Sequence, residues 1–154
     1  MRKSRVKIER WRDCIENTSV RVLLPKRMKV RIDNIVRIGE EVLVMLSTDF
    51  GKASAVWCGA PPTIGASHDV ELEIEQSVVW GMSARPASND GFSIDIVDGF
   101  IKLTGNIVSV DTEGMMVFDV GGSVFFVEII GFAGAIPMVV DLYVEKLVLF
   151  PTGV

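Results

Sequence analysis

One histidine, His68, is all that the 154 residues contain. A catalytic triad with a His base would have to use it, and a metal site with several His ligands cannot be built within one chain. Cysteine is almost as scarce. Cys14 and Cys58 form no CxxC pair and no disulfide framework, which suits two reduced thiols in a cytoplasmic protein. The sequence has no G-x-S-x-G, P-loop, HExxH or dinucleotide fingerprint. Its glycine pair Gly131 and Gly134 has no helical pattern after it to offer a phosphate a helix N-terminus. The most membrane-like run, residues 124–140, is interrupted by Glu128, Gly131, Gly134 and Pro137. It also falls short of the ~20 residues that a spanning helix needs. No apolar segment follows Met1-Arg2-Lys3, so a secretory signal is not expected. These absences lead to an expectation of no enzyme activity, no cofactor, no metal and no membrane association.

What the chain does have is apolar strand pattern. The hydrophobic fraction is 49% and the mean hydropathy is +0.38, which calls for a filled core or a buried interface rather than disorder. Short alternating runs rich in Val, Ile and Phe are cut by turn residues. Residues 28–38, 42–47, 53–58 and 70–80 read as strands in the first half. Residues 92–97, 100–110, 115–120, 124–130 and 138–150 read as strands in the second. Asp98-Gly99 is a two-residue hairpin signal, because both central positions of that turn take φ > 0.

The two halves share more than alternation. Asn34-Ile35-Val36 recurs as Asn106-Ile107-Val108, and Val70, Leu72, Glu75 and Val78 recur as Val140, Leu142, Glu145 and Val148. Val20, Val22 and Leu24 fall on Phe92, Ile94 and Ile96. An internal duplication is expected, giving an all-β chain of two tandem five-stranded small barrels of the OB-like or SH3-like kind. One larger pseudo-two-fold barrel or sandwich is the alternative. The boundaries that follow are an N-terminal arm or short helix over 1–18, a first unit over 19–80, a linker over 81–90 and a second unit over 91–154. Ile8, Trp11 and Ile15 carry the helical spacing in the first segment. A unit of about 60 residues is marginal alone, so the two should lean on each other.

Charge is unevenly spread. Residues 1–37 hold 12 of the 16 Lys and Arg and 4 of the 20 Asp and Glu, a net +8, and the remainder is net −12. Such asymmetry points to a partner. Arg2, Lys3, Arg5, Lys7, Arg10 and Arg12, with Trp11 to stack on a base, are the nucleic-acid candidates. Glu9 and Asp13 interrupt that segment and the rest of the chain is acidic, so a protein partner or self-association is the preferred expectation. Phe125 and Phe126 are adjacent and must face opposite sides of one strand. They are the apolar half of the candidate partner surface. On residues 70–75, Glu71, Glu73 and Glu75 read as a solvated outer face. That row would oppose Lys29 and Arg31 if their strands pair. His68 falls in a Gly/Pro/Ser-rich stretch and reads as a solvated loop residue.

Overall fold

The computed structural model describes residues 27–152. The expected arm over 1–18 and the alternating Val20, Val22 and Leu24 lie outside the described residues. Those described form twelve strands and no helix, so the all-β expectation holds for them.

Alternation builds the first strands directly. In β1 (Met28–Ile38), Met28, Val30 and Ile32 are buried while Lys29 and Arg31 stand in solvent. Gly39, at φ 63°, turns the chain into β2 (Glu41–Thr48), which buries Val42, Val44 and Leu46. Next come β3 (Gly51–Trp57) and, after a loop, β4 (Ser67–Glu73). The pattern of residues 70–80 predicts one continuous strand, but the chain breaks after Glu73 and resumes as the short β5 (Val78–Val79). A further short strand, β6 (Ala84–Pro86), lies inside the stretch read as a linker.

The second half opens with β7 (Ser93–Val97) and β8 (Phe100–Val110). The hairpin between them has φ 51° at Asp98 and 81° at Gly99, the two positive values that its turn residues foretold. Asp111 holds the next turn, its Oδ1 accepting from the backbone N–H of Glu113 (2.8 Å) and of Met115 (2.9 Å). Then follow β9 (Met115–Val120) and β10 (Ser123–Ile130). The expected long strand over 138–150 is also broken, into β11 (Met138–Val144) and β12 (Val148–Pro151).

Five strands close a barrel. β1 pairs with β2 and β2 with β3, all antiparallel. β3 pairs in parallel with β12 through Val56↔Val148 and Trp57↔Leu149. β12 pairs antiparallel with β4, and β4 returns to β1. Closure leaves these five strands without a free edge over their paired lengths. One of the five therefore comes from the far end of the chain.

The other seven strands extend this sheet. β8 carries β7 and β9 along one side and β11 along the other. β9 pairs with β10, β10 in parallel with β5 through Ile129↔Val78, and β11 with β6. The sheet passes from the barrel to this set at one bridge, Gly51↔Ile94. There the Ile94 N–H donates to the Phe50 carbonyl at 3.0 Å.

One core runs through both sets. Val30, Ile32, Val44 and Leu46 belong to it, as do Ile94, Leu103, Phe118, Phe125, Leu142 and Leu149. A second, smaller cluster on the opposite face of β9 and β10 contains Met115, Val117 and Phe126. Both long strands, β1 and β8, carry a bulge, between Ile32 and Asn34 and between Ile107 and Ser109. Each bulge bends its strand as one sheet region curves into the next.

The charged rows do not meet as expected. β1 does pair with β4, but its register sets Lys29 against Asp69 and Arg31 against Ser67. Arg31 instead forms an ion pair with Asp33 at 3.5 Å. Glu71 and Glu73 lie opposite Phe150 and Val148 of β12. Glu73 is 6% exposed, so the glutamate row is not a uniformly solvated face.

Candidate groove at Trp57 and His68

Three separated pieces of chain meet at one end of the barrel. Trp57 ends β3, His68 lies near the start of β4, and Pro151 ends β12. The loop from Cys58 to Ala66 spans the gap between the first two. A groove of about 610 Å³ lies among Trp57, Pro61, Pro62, Ala66, His68 and Pro151.

The loop is pinned at both ends. The Trp57 indole Nε1–H donates to the Ala60 carbonyl at 2.7 Å. The Gly65 N–H donates to the Ile32 carbonyl at 2.7 Å, and the Ile32 N–H to the Ala66 carbonyl at 2.9 Å. Between these anchors Pro61 and Pro62 fix two φ angles, which lowers the conformational freedom of the span. Pro151 is held too, since Thr152 donates its N–H (3.1 Å) and hydroxyl (2.8 Å) to the Asp69 carbonyl. The walls are therefore set before anything enters.

The Trp57 and His68 rings meet edge to face, with centroids 5.0 Å apart and planes at 72°. That arrangement suits two aromatic quadrupoles. It leaves His68 Nε2 buried without a hydrogen-bond partner. A buried polar atom in that state costs about 1–3 kcal/mol, and most such atoms in folded proteins are paired. Nε2 donates or accepts according to tautomer, and a ligand group meets it only where the atoms that cover it move aside. His68 thus sits on a strand in a half-buried position, not in a solvated loop as its neighbours suggested. Cys58, next to Trp57, has its thiol pushed above the ordinary range by burial and then by the Glu75 carboxylate, with Lys146 acting in the opposite direction.

The residues read from sequence as partner-binding are not gathered here. Arg2, Lys3, Arg5, Lys7, Arg10, Trp11 and Arg12 lie outside the described residues. Phe125 is 2% exposed and packs in the main core, its ring centroid 6.4 Å from that of Phe118. Phe126 is 9% exposed, in the second cluster. The adjacent rings do face opposite ways, and both faces of the strand are buried there. The groove residues were legible only as a core Trp, a loop with two prolines and a lone His. What could have joined them is that a stiff Pro-Pro span links a strand ending in Trp to a strand carrying the one His.

Among the described residues no three His, Cys, Asp or Glu side chains lie where they could hold a metal ion. No helix among them is long and apolar enough to cross a membrane. Comparison with family models, with curated proteins and with solved structures gives no match.

Proposed function

We propose that this chain is a non-catalytic binding module, a duplicated barrel of OB-like kind, that takes an extended segment of a partner protein into the Trp57–His68 groove. The order β1-β2-β3-β12-β4, with β3 and β12 parallel, supports the OB-like reading. The observation that carries the binding reading is a groove walled by Trp57, Pro61, Pro62 and Pro151, one of whose lining residues, His68, keeps a buried and unpaired Nε2. Tryptophan and proline surfaces grip extended chain without losing much side-chain freedom. The surrounding body supplies a sign. Residues 27–152 carry 8 Lys and Arg against 17 Asp and Glu, and Asp69, next to His68, is exposed. A segment with apolar side chains and flanking Lys or Arg fits this field, with charge speeding encounter and setting register. A nucleic-acid role would rest on residues 1–12, and the acidic body would repel a phosphate backbone.

The test is a titration of the full chain with short proline-rich peptides, one flanked by lysines and one by glutamates, followed by NMR. The lysine peptide should shift the Trp57 indole N–H and the amides of residues 59–66, and added salt should weaken it. His68→Phe keeps the ring stack and removes the unpaired nitrogen. It should weaken that binding about tenfold while leaving the fold at least as stable. Absence of any shift at the Trp57 indole, or a His68→Phe chain that binds equally well, overturns the reading.

A further inference from the structure

We infer that the two halves of the chain are intertwined copies, each completed by the last strand of the other, so that the molecule is a fused form of a strand-exchanged pair. This rests on the duplication proposed above and extends it to how the copies are joined.

The strand pairings of the two halves match. Each half holds three consecutive antiparallel strands, β1-β2-β3 in the first and, after β7, β8-β9-β10 in the second. A fourth strand returns to the free side of the first of the three, β4 on β1 and β11 on β8. The fifth position lies parallel to the third strand. Next to β3 it is filled by β12, with Val148 opposite Val56. Next to β10 it is filled by β5, with Val78 opposite Ile129. The sequence repeat equates Val78 with Val148, one place from Leu149, which pairs with Trp57 and, like Val78, lies in the main core.

The second side of the fifth position matches as well. β12 goes on to pair with β4. The corresponding pairing to β11 is made by β6, reached through the tight turn after Trp80, where the Gly81 N–H donates to the Ala84 carbonyl at 2.8 Å.

Each fifth strand leaves its own half just after its fourth strand, at residues 74–77 and at 145–147. The two crossing segments touch where they pass. The Glu145 N–H donates to Gln76 Oε1 at 2.6 Å. In the repeat Glu145 is the counterpart of Glu75, the residue next to Gln76, so neighbouring places of the two crossing segments meet. The partner that fits each half is therefore a second copy of the same unit.

The experiment cuts the covalent link after folding. A protease site is inserted between Ser88 and Asn89 of the full chain, and the purified, folded protein is cleaved. The fragments should co-elute at the uncut mass, keep their tryptophan emission, and part only in denaturant. In the uncut chain, Leu149→Ala should speed amide exchange at Val56 and Cys58, whose N–H groups bond the Leu147 and Leu149 carbonyls. An increase of at least about tenfold is expected, with β8 to β10 less affected. Leu149→Val serves if the alanine chain does not fold. Fragments that separate into two folded bodies in buffer overturn the inference. So does a Leu149 variant whose faster exchange lies in β8 to β10. Neither readout needs a peptide bound in the groove, so a failed peptide titration leaves this result intact.

Discussion

Gly51 occupies the bridge between the barrel and the remaining strands. Its φ is 139°, and a Cβ built there would sit 1.8 Å from the Ile94 carbonyl oxygen. No side chain can give way, since the obstruction is backbone. Gly51→Ala should therefore lower stability by at least about 2 kcal/mol, read as a lower urea midpoint. The Ile94 amide, bonded to Phe50, should lose exchange protection first. Nothing in the sequence singles Gly51 out from the other turn glycines, because the close approach is made by a strand more than forty positions away. His68 teaches the same lesson. Its Gly, Pro and Ser neighbours point to a loop, and its burial is imposed by Trp57 and by Pro151 at the far end of the chain.

At the scale of elements, alternation between tight turns was read well. β1 and β8 begin and end where the pattern said, because Gly39, and Asp98-Gly99 before β8, leave the chain no choice of turn. The hairpin of β7 and β8 allows a clean check. Gly99 has φ 81° with open space where a Cβ would go, so Gly99→Ala adds conformational strain without a clash. The expected loss is about 1–2 kcal/mol, measured by chemical denaturation. Asp98→Gly should cost far less, since glycine takes the positive φ freely. The strand breaks at 74–77 and 145–147 were not legible. Neither stretch contains Gly or Pro, and each keeps one apolar residue, Ile74 and Leu147, beside its polar ones. The chain leaves β4 and β11 there because its next partners lie in the other half, which is a tertiary instruction with no local mark.

For the whole molecule, a core shared by both sets of strands predicts one cooperative unit. Tryptophan emission and far-UV circular dichroism should give coincident urea transitions, although two units were expected from the sequence. Two separated transitions would mean that the halves hold together independently. The duplication that we propose rests on residues, on Val70, Leu72, Glu75 and Val78 and their counterparts Val140, Leu142, Glu145 and Val148. Which strand completes which half was not legible, because both fifth strands carry nearly the same apolar pattern and would suit either place.

Placing β12 in the first barrel also orders events on the ribosome. β1 to β4 emerge early, yet the space between β3 and β4 stays open until residues 148–151 have been made. At about 5–20 residues per second, that wait lasts on the order of several seconds. Throughout it two unpaired strand margins face solvent or a chaperone. A slow stretch of codons in the second half would lengthen that exposure and lower the soluble yield, without altering any contact in the finished protein.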